Sequence, residues 1–146
     1  MAAEQASGGA DRYDAFHAFR ERLNTRLLGN EQQRGNGPDG AARAAPSLGI
    51  KRFFALDTRC YEDGALDAKT KEGLGLVASA VLRCDDCIAY HIDRCVELGW
   101  TDDELMEVFE VALIVGGSIV IPHLRRGVDF LDACRDKRAD DARGRA

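Results

Sequence analysis

The chain has no run of about 18 consecutive apolar residues, so no stretch of it reads as a membrane-spanning helix. Its first residues, MAAEQASGGADRYD, hold neither a basic segment nor an apolar one, and do not read as a secretory leader. A clustered basic face is missing too. Net charge is -5, and the Lys/Arg-dense places, 18–26 and 135–145, also carry acids, which argues against nucleic acid as a partner. No period-two strand pattern stands out, and no repeat, Gly-rich phosphate loop or G-x-S-x-G occurs. These absences point to an all-α protein without a membrane partner, expected in the cytoplasm.

What is there suits a single domain: 146 residues, 45% hydrophobic and 31% charged, enough to bury a core. There are five cysteines. In a reducing compartment they rest as thiols, and a close pair is then catalytic, redox-active or metal-binding rather than a staple. An odd count also suits a disulfide framework badly.

Residues 1–10 are small and polar and are expected to be disordered. From Asp11 a helix is expected, with Tyr13, Phe16, Phe19, Leu23 and Leu27 on its stripe, stopped by Gly29 and Asn30. His17 beside it reads as a partly exposed surface histidine. Residues 29–46 are rich in Gly, polar residues and Pro and read as a linker. Ser47 can cap a short helix carrying Ile50, Phe53, Phe54 and Leu56, with Cys60 near its end as a packed thiol. Glu62-Asp63-Gly64 marks a turn, and Asp67 caps a helix over 68–82 with Leu74, Val77, Ala80 and Val81 on its buried side. The next helix, 85–98, starts after Cys84 and ends at Gly99, with Ile88, Ile92 and Val96 in the core. Thr101-Asp-Asp-Glu104 is a capping box. The run Leu105–Val115 behind it is apolar on nearly every side, which suits a bundle centre or an interface. Gly116-Gly117-Ser118 breaks that helix. A last helix carries Leu124, Val128, Leu131 and Cys134 to about Arg135. The expected division is an N-terminal extension (1–46), a helical core (47–135) and a charged flexible tail (136–146), with about six helices in all.

One stretch, Glu72 to His91, concentrates the chemistry: E-GLGLVASAVLR-CDDC-IAY-H. Cys84, Cys87, His91 and Cys95 are spaced three, four and four apart and share one helix face. Two cysteines three apart at a helix N-terminus can form a disulfide within one turn, and the helix dipole favours the thiolate. His91 can take a proton, and a carboxylate from the preceding helix could hold it. On position alone Glu72 reads as a surface glutamate. The chemistry such a set supports is a thiolate breaking an O–O bond to give a sulfenic acid, which the partner cysteine condenses to a disulfide. A dithiol must then reset the pair. Asp85 and Asp86 work against this by raising the thiol pKa, although they suit a helix N-terminus.

The pattern Glu72-x11-Cys84-x2-Cys87-x3-His91 resembles the carboxymuconolactone decarboxylase-like superfamily, in its alkylhydroperoxidase D-like branch. So do the G-W-T-D-D-E segment after Gly99 and the Gly116-Gly117-Ser118 break followed by Ile-Pro-His-Leu. The resemblance covers roughly residues 47–134. It implies an all-α subunit assembling as a homotrimer or homohexamer, with peroxidase or disulfide-reductase activity, a hydroperoxide substrate and a dithiol or lipoyl-type electron donor, and no cofactor or metal. By the same resemblance Cys87 would form the sulfenic acid, Cys84 would be proton donor and resolving thiol, and Glu72 and His91 would complete a relay. Well-characterised members carry a histidine between the cysteines, where this chain has Asp86.

Three rival readings follow from the same residues. Cys84, Cys87, His91 and Cys95 are ligand types that suit zinc, but one helix face cannot easily surround an ion tetrahedrally. The cysteines could instead be vestigial in an assembly protein. The superfamily's true lactone decarboxylases lack the cysteine pair; His123 is the one residue that could serve their chemistry, against a plainer reading as a helix-start histidine making a local hydrogen bond.

Overall fold

A computed structural model describes residues 2–29, 36–41 and 44–145, with side chains from residue 9 onward. The order is α1 (Ala2–Leu28), α2 (Leu48–Cys60), α3 (Ala68–Val81), α4 (Asp85–Glu97), α5 (Asp102–Gly116), a short 3₁₀ turn (Ser118–Val120) and α6 (Ile121–Arg143). The described residues contain no strand, as the all-α reading requires. The chain divides into two units, one made of the residues through Tyr13 with Asp63 onward, the other of Asp14–Glu62.

In the first unit, α3 packs on α4 and α5, and α4 packs on α6. Their shared core is Leu76, Ile88, Ile92, Leu105, Phe109, Phe130 and Leu131, with the thiols Cys95 and Cys134. Each large apolar side chain buried here contributes roughly 1.5–3 kcal/mol. Gly127 lets α6 come close: a Cβ there would lie 3.1 Å from both Ile88 Cγ2 and Phe109 Cζ. Helix starts follow local chemistry. The Asp67 side chain accepts from Thr70 N at 2.7 Å. Thr101 Oγ1 accepts from Glu104 N at 3.2 Å while Glu104 Oε2 accepts from Thr101 N at 2.7 Å, the reciprocal capping box.

The turn that ends α3 aims Cys84. Arg83 is left-handed, with φ 61°, its N–H bonds Ala80 O at 3.1 Å, and Cys84 N–H reaches back to Ser79 O at 3.1 Å. Glycine is the usual residue in such a position, and a side chain there costs about 1–2 kcal/mol. Arg83→Gly is therefore expected to raise stability by roughly 0.5–1 kcal/mol after the larger entropy of the unfolded glycine is subtracted. A urea denaturation midpoint that falls would show that the Arg83 side chain contributes more than its backbone costs.

Several expectations are corrected. Helix α1 begins at Ala2, not Asp11, so residues 2–10 are helical; the alanines in this stretch, Ala2, Ala3, Ala6 and Ala10, have the highest helix propensity, and Gly9 lies close against Asp136 and Ala133 of α6. Met1 and Asn30 lie outside the described residues, as do 31–35 and 42–43 of the expected linker. Helix α6 runs to Arg143 instead of stopping near Arg135. Its extra turns hold partners on α4: Arg138 Nη2 lies 3.4 Å from the buried Asp93 Oδ1 and 3.9 Å from Glu97 Oε1. Tyr13 hydrogen-bonds the same Asp93. Burial, then the Asp93 charge and that bond, push its hydroxyl well above the usual tyrosine range. Leu74 is exposed, and Leu76 takes the core position instead. In α5 only Leu105, Phe109 and Ala112 are buried, while Val111, Ile114 and Val115 face outward. The helix is thus not surrounded by its own subunit.

In the second unit, Ser47 caps α2 by accepting from Ile50 N at 3.5 Å. Helix α2 buries none of its residues. Cys60 is accordingly exposed rather than a packed thiol, and Phe53 and Leu56 are exposed beside it.

Candidate active site

Cys84 is the N-cap of α4, extended in backbone, and its Sγ accepts from Cys87 N at 3.3 Å. The two residues are joined by a disulfide, with Cα atoms 5.2 Å apart. Cys84 and Cys87 are both half-buried. A sulfur at the Cys84 position receives a backbone N–H and sits at the positive end of the helix, which favours its thiolate when the bond is reduced.

One helical turn beyond Cys87, His91 is buried, and Glu72 of α3 meets it. Glu72 is only 2% exposed, so it is not the surface glutamate that its position suggests. Its Oε2 lies 2.7 Å from His91 Nδ1, and its Oε1 lies 3.5 Å from Arg94 Nε. Burying a carboxylate costs several kcal/mol, and these two partners offset it. With Nδ1–H donating to Glu72, Nε2 is the ring nitrogen suited to proton exchange. Arg94 also pairs with Glu97 through Nη1, and so spans the two acids.

Trp100 packs on α3 at the residue after Glu72. A Cβ on that residue, Gly73, would lie 2.8 Å from Trp100 Cζ2, so the glycine is what lets the indole press on α3. Trp100 Nε1 donates to Lys69 O at 3.3 Å, and Lys69 Nζ lies 5.0 Å from the ring centre. From the other side Arg135 Nη2 donates to Trp100 O at 2.7 Å.

Cys95, one turn past His91, does not join the dithiol. It is fully buried, and burial, followed by the Glu72 charge, pushes its thiol up to about 12. Cys134 is likewise buried, and burial with the Asp93 charge pushes it up to about 12. Both therefore stay protonated far above neutral pH. Native alkylation at pH 8 of chain first reduced and freed of reductant is expected to label Cys60 and the dithiol and to spare Cys95 and Cys134. Peptide mass spectrometry checks this, and rapid labelling of either buried thiol would contradict the packing.

The sequence pattern does not announce a second cluster beside the disulfide. Asp85, the first residue of α4, accepts from His123 Nδ1 at 2.7 Å on Oδ1, while Arg126 Nε lies 2.8 Å from Oδ2. His123 Nδ1 has a local neighbour in Arg126 Nη2, but its shorter contact joins α6 to α4 across 38 residues. Burial alone would raise the Asp85 carboxyl, but the bonds from His123 and Arg126 outweigh it and leave the group below the usual range. The available signal was a histidine and an arginine three apart in the first turns of a helix, which share a face.

Residues 50–129 match the model of the carboxymuconolactone decarboxylase family. The chain is 48% identical to a carboxymuconolactone decarboxylase family protein from Thermotoga maritima for which a part in antioxidative response has been suggested. The match has a TM-score of 0.72 and covers 87% of this chain and 95% of that one. A Legionella pneumophila protein of the same family, 24% identical, shares the fold with a TM-score of 0.52 over 92% of this chain and 97% of its own. Among curated relatives, protein 4 of the cox locus of Paracoccus denitrificans is 30% identical over 80 residues, 55% of this chain and 72% of that protein.

Proposed function

The chain belongs to the carboxymuconolactone decarboxylase family, and from that premise we propose that it is a thiol-dependent peroxidase and disulfide oxidoreductase working through Cys84 and Cys87. The observation that carries this reading is the disulfide at the N-terminus of α4, with the buried Glu72–His91 pair one turn away. The suggested antioxidative part of the Thermotoga protein agrees with it.

In the reduced state the dithiol holds one proton; with that proton on Cys84, the Cys87 thiolate attacks the outer oxygen of a hydroperoxide ROOH. The O–O bond breaks, the alkoxide takes a proton from the Cys84 thiol and leaves as ROH, and Cys87 becomes a sulfenic acid. The Cys84 thiolate then attacks Cys87 Sγ. Hydroxide leaves as water on receiving a proton from the His91–Glu72 pair, and the disulfide is restored. A dithiol or lipoyl-type donor reduces that disulfide, is itself oxidised to a disulfide, and supplies the two protons that close the cycle. His91 Nε2 is the group suited to ferry them, with Glu72 keeping the ring oriented.

Subunit assembly belongs to the same reading. Leu74, Leu82, Val111, Ile114, Val115 and Ile119 are all exposed on the first unit, with Ile114 at 87%. So much apolar surface suits burial against further copies of the chain, as a homotrimer or homohexamer. Light scattering behind a sizing column is expected to give three or six times the subunit mass, and a monomer would remove this part of the proposal.

The direct test is a thiol count on reduced protein before and after one equivalent of alkyl hydroperoxide. Two thiols per chain should disappear quickly. Persistence of all the thiols would exclude peroxidase action on that substrate.

A further inference from the structure

A carboxylate next in sequence to Cys84 should oppose a thiolate there. Asp85 is that carboxylate, and both of its oxygens are taken up from α6, by His123 Nδ1 at 2.7 Å and Arg126 Nε at 2.8 Å. Arg126 Nη2 also lies 3.0 Å from His123 Nδ1. The shorter contact to Asp85 identifies Nδ1 as the protonated nitrogen, since a bare lone pair would face a carboxylate oxygen at that distance. His123 is mostly covered, at 17% exposed, but Asp85 and Arg126 are each almost half exposed. Exposed ion pairs contribute only about 0–1 kcal/mol. Stability is therefore a weak reason for two side chains of α6 to converge on one carboxylate beside a redox disulfide.

We propose that His123 and Arg126 are positioning residues for the Cys84 thiolate: they hold and neutralise Asp85, leaving the α4 N-terminus and the Cys87 N–H to stabilise the sulfur. This rests on the thiol chemistry proposed above. When a donor thiolate attacks Cys87 Sγ, the S–S bond breaks, its electron pair goes to Cys84, and a donor–Cys87 mixed disulfide forms. A second donor thiolate then attacks the donor sulfur, releasing Cys87 and leaving the donor oxidised. Cys84 is the leaving group in the first step, and a lower leaving-thiol pKa speeds it. The other charged or titratable groups flanking the sulfur in sequence are Arg83, Asp86 and, further along α4, His91; none is altered in the test.

The test uses the full chain carrying Cys87→Ser, so that Cys84 is a lone thiol with its backbone contacts intact. Its alkylation by iodoacetamide is followed against pH at the level of the Cys84 peptide, which separates it from exposed Cys60. His123→Ala and Arg126→Gln are each expected to raise the midpoint by about one pH unit. Adding Asp85→Asn to His123→Ala should bring it back to the parent value. A purely structural role cannot give that rescue, because Asp85→Asn removes the same contact again. Arg126→Gln keeps the test valid should His123→Ala unfold, with circular dichroism to report folding. Unchanged midpoints, or a shift that Asp85→Asn fails to reverse, would overturn the inference while leaving the dithiol chemistry standing. A parent Cys84 that reacts at no pH would overturn the dithiol chemistry itself, and the inference with it.

Discussion

Cys87→Ser is expected to abolish hydroperoxide turnover, a loss of more than about 10³-fold of the kind seen when a nucleophile is removed. Serine is nearly the same size but does not ionise near neutral pH, so the attacking thiolate is lost. Cys87 sits in the first turn of α4 and outside the main core, so the fold should survive. Cys84→Ser should also stop steady turnover, but for a different reason. Cys87 can still be oxidised once, and the sulfenic acid then finds no partner. The two variants are told apart by a sulfenic acid trap, which should mark Cys84→Ser stoichiometrically and leave Cys87→Ser unmarked. Equal peroxide consumption by wild type and Cys87→Ser would refute thiol catalysis outright.

The second large effect falls on Glu72→Gln. Glutamine keeps the volume at a site only 2% exposed, and its amide oxygen can still accept from His91 Nδ1–H. What disappears is the negative charge that stabilises a protonated imidazole and faces Arg94. A general acid–base contribution is about 10²–10⁴-fold, so turnover should fall by about 10²-fold. The stability loss should be smaller, about 1–2 kcal/mol, because Arg94 retains Glu97 and the glutamine still accepts from His91. A stopped-flow rate for conversion of the sulfenic acid to the disulfide, measured beside a thermal melt, separates the two. An unchanged rate with a lowered melt would make Glu72 a packing residue and remove it from the relay.

Much of the helical core was legible because its signals are local. Asp67, Ser47 and the Thr101–Glu104 box each bond a backbone group three residues on, so their helix starts can be read from a few letters. Cys84 and Cys87 are separated by one turn, and their pairing is visible for the same reason. What failed to show was set by distant partners. Glu72 is buried because Trp100 presses on Gly73 and because Arg94 and His91 reach it from α4. Helix α6 outlasts its expected end because Arg138 finds Asp93. His123 looked like a local residue because nothing near it in sequence announces Asp85. Leu74 was assigned inward on hydrophobicity alone, which does not distinguish a core from an apolar surface, and the same limit left the α5 run open between a bundle centre and an interface.

The contact between Glu72 and His91 closes only 19 residues, across consecutive helices. The ties from α4 to α6 close longer loops, 38 residues for Asp85–His123 and 45 for Asp93–Arg138. Loop-closure entropy grows with the logarithm of length, so the 45-residue tie costs roughly 0.8 kcal/mol more than the 19-residue one. The α3–α4 hairpin is thus entropically cheaper to close than the docking of α6 on α4. A folding chain would bring Cys84, Cys87, His91 and Glu72 together in one short-range step. Docking of α6, which brings His123 and Arg126 to Asp85, would follow as a later and costlier closure.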